Sequence, residues 1–88
     1  MIERRVRYGI SLEDQEAMWA AQGGLCASCE KPFPSDRETH LDHDHATGRV
    51  RAFLCGHCNN IVGRCGEDID HLVAVAEYLI RQKALVPA

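Results

Sequence analysis

Two groups of residues have the types and spacing that chemistry requires. The first group is four cysteines in two Cys-x-x-Cys pairs, Cys26 with Cys29 and Cys55 with Cys58, and 25 residues separate the pairs. The second group lies between the pairs and is the run His-Leu-Asp-His-Asp-His at 40–45. Thiolates suit a soft metal. Carboxylates suit a hard cation, and imidazoles suit proton transfer.

The two cysteine pairs predict one structural zinc site. The intervening chain is long enough to form a hairpin and return, so four thiolates can surround one tetrahedral ion. A closed Cys₄ shell leaves no position for substrate, so the site stabilises the fold and performs no reaction. Free core thiols or a redox pair are the alternatives, but neither predicts two pairs at this separation. Cys65 is outside the pattern, and His57 is not expected to be a ligand.

The histidine and aspartate run predicts a second, catalytic centre. Metal-assisted hydrolysis of a phosphodiester needs an oxygen ligand for a cation such as magnesium and an imidazole that can take a proton from water near pH 7. A polar, solvated turn would have the same composition. From these residues alone, both interpretations stay open.

The elements that would position these groups can be predicted from local patterns. Residues 40–43 and 49–54 have the character of short strands, and Gly48 can supply a positive-φ residue for the turn between them. Within the second strand, residues 50, 52 and 54 form an apolar face, while Arg49, Arg51 and Phe53 alternate with them. A short helix is expected over 59–64, which gives the order strand, strand, helix.

Longer helices are predicted on both sides of this unit. Ser11 is a candidate N-cap for a helix that runs to Gln22 and is stopped by Gly23-Gly24. Asp68 is a candidate N-cap for the last helix, whose apolar residues recur at helical spacing. We expect that helix to pack on the core.

Length and composition limit the class of protein. A chain of 88 residues forms at most one domain, here 1–88, and its small core calls for an additional staple. No apolar run is long enough to cross a membrane and no signal-peptide core follows Met1, so an intracellular protein is expected. The net charge of −3 argues against a wholly nucleic-acid-binding surface. Arginines at 4, 5, 7, 49 and 51 nevertheless allow local phosphate contacts.

The combined motifs resemble the phage recombination endonuclease VII family, within the H-N-H or His-Me finger superfamily of nucleases. They are His-Leu-Asp-His-Asp-His at 40–45, Thr-Gly-Arg-Val-Arg at 47–51 and Leu-Cys-x-x-Cys-Asn at 54–59. The resemblance extends from about Tyr8-Gly9-Ile10, through Gln22-Gly23-Gly24-Leu25-Cys26, to the region of Tyr78-Leu79. Each motif alone is modest, but their order and spacing together are specific.

This resemblance implies an α+β fold of the ββα-metal type, with N- and C-terminal flanking helices and a catalytic Mg²⁺ or Mn²⁺ beside the structural Zn²⁺. Asp42 and Asn59 would be the ligands of the catalytic ion, and His43 would be the general base. His40 and His45 would contact phosphate or orient the site. Asn60 competes with Asn59 for the ligand role, but more often such a residue caps or hydrogen-bonds locally.

The function implied is a metal-dependent DNA endonuclease acting on branched or structured DNA, in the cytoplasm of an infected bacterial host. Two departures from the family are visible. Little chain remains for the C-terminal helices that pair the subunits, which weakens the expectation of a dimeric junction resolvase. A carboxylate expected in the metal helix is absent after Asn60. Two alternatives remain, a partner-dependent nicking enzyme of a phage complex and a non-catalytic zinc module that binds DNA or protein. A homodimer or a phage protein partner is compatible with these interpretations, and no interaction with a membrane is expected.

Overall fold

The computed structural model describes residues 9–85, and within them it has three α-helices and one two-stranded antiparallel sheet. A ββα unit lies at the centre of the chain, with a helix on each side in sequence. This confirms the predicted α+β class. The elements are α1 (Leu12–Ala21), a 3₁₀ turn (Asp36–Glu38), β1 (Thr39–His43), β2 (Val50–Cys55), α2 (Gly56–Arg64) and α3 (Ile69–Leu85).

Helix α1 has the predicted start and end. The Ser11 hydroxyl accepts a hydrogen bond of 3.0 Å from the backbone N–H of Asp14, which satisfies one of the free donors of the first turn. Gln22 is the C-cap, and Gly23 and Gly24 follow with φ of 63° and 72°. Because glycine adopts this conformation without a steric penalty, the chain can leave the helix and turn towards the first cysteine pair.

The hairpin of β1 and β2 also forms where the sequence predicts it. In the connecting loop, the carboxylate of Asp44 accepts hydrogen bonds from the backbone N–H groups of Ala46 and Thr47, at 2.8 and 3.1 Å. These bonds lower the pKa of Asp44. Gly48 closes the loop at a φ of 76°. The loop therefore uses a side-chain acceptor and a glycine to return the chain.

The strand pairing has one irregularity, next to the predicted catalytic residues. Asp42 pairs with Ala52, but the next residue, His43, pairs with Val50, so the register skips Arg51. A bulge of this kind bends a strand and redirects the side chain of the extra residue. It is the feature of the sheet that most affects the site.

The core lies where α1, the first cysteine pair and the end of β2 meet. Phe53 is only 2% exposed, and its ring packs edge-on against Trp19 at a centroid distance of 5.5 Å. Trp19 also stacks on Phe33 at 5.1 Å. The simple alternation predicted for β2 is therefore incomplete, because Leu54 is also buried and both faces are covered near the strand end.

Gln22, the C-cap of α1, hydrogen-bonds to the hairpin. The side-chain amide of Gln22 donates to the backbone carbonyls of Leu25 and Phe53, at 2.8 and 3.0 Å, and accepts from the backbone N–H of Phe53 at 2.9 Å. The Gln22 amide thus pairs with the N–H and the C=O of Phe53, as the backbone of a neighbouring strand would. This link fixes the first cysteine pair relative to β2.

Helix α2 begins three residues earlier than predicted, at Gly56 rather than Asn59. Cys55 is its N-cap, and the Cys55 sulfur accepts a hydrogen bond from the backbone N–H of Cys58. Cysteine is not among the residues that usually mark a helix start, which is why the local pattern missed it. Consequently, Cys55 caps α2, and Cys58 and Asn59 lie near its start.

Helix α3 begins as predicted, since the carboxylate of Asp68 accepts a hydrogen bond of 3.0 Å from the backbone N–H of His71. The expectation that it packs on the core is wrong for most of its length, because every residue from Ile69 to Leu85 is exposed. Only Ile69 and Leu72, in its first turn, line a groove together with Leu54 of the core. Within residues 9–85, no helix is long and apolar enough to cross a membrane.

Candidate functional site

The four cysteines of the two pairs converge on one point. Their sulfur atoms all lie within 4.8 Å of one another, and those of Cys29 and Cys55 are 3.9 Å apart. Zinc–sulfur bonds of about 2.3 Å in tetrahedral geometry require sulfur atoms about 3.8 Å apart. The donor set therefore fits a single structural metal such as zinc, as the sequence predicted.

The surroundings of the cysteines favour thiolates at this point. Burial acts to raise the pKa of Cys26, but hydrogen bonds from the backbone at Cys29, Cys55 and Ser28 outweigh it and lower the pKa to about 6. Burial raises the pKa of Cys58 to about 12 instead. Four close thiols cannot all ionise without a compensating cation, so the site is built for a positive ion.

His57 and Cys65, which are close to the second cysteine pair in the sequence, do not join this cluster. His57 is exposed although it lies between Cys55 and Cys58 in sequence. Cys65 is half-buried, and its thiol donates to the backbone carbonyl of Val62 at 3.3 Å. Neither belongs to the four-sulfur group, in agreement with the sequence-based interpretation.

Three of the five predicted site residues meet at a cavity between the hairpin and α2. Asp42 of β1, His45 of the hairpin loop and Asn59 of α2 all line a cavity of about 550 Å³. Asn60, the competing candidate, lines it too. Asp42 and Asn59 supply oxygen donors of the kind that hard divalent cations prefer. The fold thus brings together a carboxylate and an amide that are 17 positions apart in the sequence.

The three histidines of the run occupy different places. The rings of His43 and His45 stack in parallel with their centroids 4.9 Å apart, so His43 contacts a residue of the cavity wall but is not itself among the residues that line the cavity. His40 is not among the residues that line the cavity. Its Nε2 atom instead approaches Gly56 at the start of α2, where a side chain larger than hydrogen would meet both His40 and Glu38.

Arg51 is a residue of this region whose position sequence analysis did not predict. Its guanidinium donates to both carboxylate oxygens of Asp42, at 2.7 and 3.0 Å, and to the carboxylate of Glu67 at 2.7 Å. From the sequence, Arg51 and Arg49 are both predicted as residues that could contact phosphate. In the structure the Nε and Nη2 atoms of Arg51 donate to these carboxylates, and no local pattern predicts the contacts, because the strand register pairs Asp42 with Ala52 and Glu67 lies outside the strands.

The geometry of the cysteines and the cavity agrees with a comparison of sequences. The family profile described as recombination endonuclease VII matches residues 1–81. The chain belongs to the recombination endonuclease VII family. This membership agrees with the resemblance that the two cysteine pairs and the histidine-aspartate run indicated in the sequence.

Two curated phage proteins are similar to this endonuclease VII family member. The Gene 59 protein of Mycobacterium phage D29 is 37% identical over 79 residues, which are 89% of this chain and 48% of the phage protein. The Gene 59 protein of Mycobacterium phage L5 is 33% identical over the same length and with the same coverage. The chain thus spans about half the length of the curated relatives it matches.

Proposed function

We propose that this protein is a metal-dependent DNA endonuclease that hydrolyses phosphodiester bonds at the cavity between the hairpin and α2. The observation that carries the proposal is the convergence of Asp42, Asn59 and His45 on that cavity, with His43 stacked against His45. A solvated polar turn would not by itself bring an aspartate and an asparagine from another element to one cavity. Membership of the recombination endonuclease VII family supports the same reaction.

In this proposal, Asp42 and Asn59 would hold one Mg²⁺ or Mn²⁺ ion through their side-chain oxygens. The side chain of Asp42 is 11% exposed, so the carboxylate has few competing waters. Arg51 uses one lone pair on each carboxylate oxygen, and each oxygen has a second lone pair for a cation. When bound, the ion would neutralise charge that develops on the leaving oxygen.

His43 is proposed as the general base that takes a proton from the attacking water. A neutral imidazole can accept a proton near pH 7, and a positioned base of this kind contributes roughly 10²–10⁴-fold to a rate. The parallel stack with His45 restricts the rotation of both rings. His45, on the cavity wall, is proposed to contact phosphate, and His40, near Gly56, to support the geometry of the site.

A structural Zn²⁺ held by the four cysteines would fix these parts relative to one another. Cys55 ends β2 and caps α2, and Cys58 directly precedes Asn59. Because the metal would hold the start of the same helix that carries Asn59, loss of zinc should displace a residue of the cavity. The two metal sites would therefore be coupled through the start of α2, where Cys58 and Asn59 are neighbours.

The proposed substrate is branched or structured DNA, bound by a single domain that covers 1–88. The net charge of −3 favours a second candidate, a nicking enzyme that works inside a phage complex, because such an enzyme can take its DNA affinity from a partner. Pairing with a second copy of the chain would provide additional surface in the same way. The chemistry at the cavity is the same in either case.

The experiment that tests the proposed function is cleavage of supercoiled plasmid and of a synthetic four-way junction with Mg²⁺ or Mn²⁺. The intact chain is compared with His43→Ala, and His71→Ala is the matched control because His71 is exposed on α3, away from the cavity. We expect His43→Ala to cut about 10²–10⁴-fold more slowly and His71→Ala to cut like the parent. Zinc content is measured for all three proteins.

The outcomes separate the candidates. Preference for the junction over the plasmid supports a resolving enzyme, and equal nicking of both supports the partner-dependent alternative. Equal cutting by His43→Ala and the parent contradicts the role of His43. If the zinc-loaded parent binds DNA without cutting it, the chain is a zinc-dependent binding module or needs a phage partner to cut, and cleavage by the chain alone is wrong.

A further inference from the structure

Arg51 occupies an unusual position in the hairpin. It is the residue of β2 that the strand register skips between the pairs Asp42 with Ala52 and His43 with Val50. Bulges often occur beside functional sites, where they redirect one side chain. Here the redirected side chain reaches back across the hairpin to the carboxylate of Asp42.

The contact between Arg51 and Asp42 has the geometry of a two-pronged ion pair. The Nε atom donates to one oxygen of Asp42 at 2.7 Å and the Nη2 atom donates to the other at 3.0 Å. The same Nη2 atom also lies 3.3 Å from the backbone carbonyl of His43. Two parallel hydrogen bonds fix both the position and the plane of a carboxylate, which a single bond does not.

The same Nη2 atom also donates to a second carboxylate. Glu67 accepts a hydrogen bond of 2.7 Å from Nη2, and its backbone φ of 65° is rare for a residue with a side chain. Glu67 belongs to the turn between α2 and α3, and it also lines the cavity. The arginine therefore ties the hairpin to the segment that follows α2, and the three side chains carry one net negative charge.

From this geometry we propose that Arg51 is a positioning residue, which holds the carboxylate of Asp42 in the orientation needed to bind the catalytic cation, with Glu67 as its outer anchor. This inference rests on the proposed function, since it assigns a supporting role to residues at that site. Arg51 contacts Asp42 and Glu67 and is not among the residues that line the cavity, so it acts through Asp42. Partners that orient metal ligands commonly change metal affinity by roughly 10–100-fold when they are removed.

The test measures Mn²⁺ binding to the zinc-loaded full chain by electron paramagnetic resonance, without DNA. Arg51→Lys keeps the positive charge but loses the two-pronged contact, so a change in affinity reports orientation and not charge. We expect Arg51→Lys to weaken Mn²⁺ binding roughly 10-fold or more. Arg81→Lys, on the exposed end of α3, is the matched control and should bind Mn²⁺ like the parent.

A second variant, Glu67→Gln, tests the role of Arg51 if Arg51→Lys fails to fold. Glu67→Gln leaves the contact with Asp42 intact and removes only the charge of the outer anchor, so Mn²⁺ binding should weaken less than in Arg51→Lys. Parent-like Mn²⁺ affinity in whichever of these variants folds and holds zinc would overturn the positioning role. If the parent binds no Mn²⁺ and cuts no DNA, the proposed function fails first. If the parent does both and the variants bind Mn²⁺ equally well, only this inference fails.

Discussion

At the scale of single residues, the structure depends on side chains that substitute for missing backbone partners. Gln22 is the main example, because its amide accepts from the backbone N–H of Phe53 and donates to the carbonyls of Leu25 and Phe53, the second of which also accepts from the backbone N–H of Ala27. Each such bond contributes about 1 kcal/mol net, and a buried group left unsatisfied costs about 1–3 kcal/mol. The residue joins α1 to β2 where Phe53 enters the core.

Gln22→Ala should therefore lower the free energy of unfolding by about 2 kcal/mol, because Phe53 and Leu25 lose three hydrogen bonds. The measurement is urea denaturation of the zinc-loaded protein, followed by far-ultraviolet circular dichroism. Gln82→Ala, on the exposed surface of α3, is the matched control and should change stability little. Equal effects of the two substitutions would show that the Gln22 contacts contribute nothing.

At the scale of elements, the hairpin has to return the chain within a short loop and keep Asp42 in register. Gly48 has a φ of 76°, and its α-carbon faces open space, so its role is conformational and does not involve packing. Gly63, in α2, has open space around it too but has an ordinary helical conformation. These two glycines allow the same substitution to be compared in two backbone settings.

Gly48→Ala should destabilise the protein by about 1–2 kcal/mol, the cost of a left-handed conformation for a residue with a β-carbon. Gly63→Ala should instead stabilise it by about 0.5–1 kcal/mol, because alanine loses less conformational freedom than glycine on entering a helix. Both are measured by urea denaturation of the zinc-loaded protein. A destabilised Gly63→Ala together with a neutral Gly48→Ala would contradict this account of the loop.

At the scale of the whole molecule, the small core is joined to the cysteine cluster. Cys26, Leu54, Cys55 and Cys58 form one buried group, with Phe33 and Val62 packed against it. Few large side chains are buried among residues 9–85, and Phe53 is the largest of them. Such a core can supply only part of the stability of a small domain, so a metal at the cysteines would be an integral part of the core.

Removal of zinc should therefore unfold the ββα unit. Structural zinc sites contribute roughly 10–16 kcal/mol of apparent binding free energy, as much as or more than the roughly 5–15 kcal/mol that stabilises a typical domain. A strong chelator should abolish the circular dichroism signal of the folded protein, and zinc should restore it. Cys58→Ser should fail to hold one equivalent of zinc, whereas Cys65→Ser should hold it normally, since Cys65 is outside the four-sulfur group. A metal-free protein that stays folded would contradict this prediction.

The sequence by itself determined the parts whose causes are local. Ser11 and Asp68 cap their helices, Gly48 closes the hairpin loop, and the spacing of the two cysteine pairs predicts the four-sulfur cluster that the structure contains. These predictions succeed because a cap, a turn or a short Cys-x-x-Cys pair depends on residues within a few positions of one another.

Only the tertiary structure decided the features that depend on distant residues. The register skip at Arg51, its contacts with Asp42 and Glu67, and the exposure of α3 depend on how separate elements approach one another. Helical spacing of apolar residues shows that one face of α3 is hydrophobic, but it does not specify the surface that covers this face. An arginine in a strand likewise does not reveal which carboxylate it contacts, because a bulge redirects its side chain.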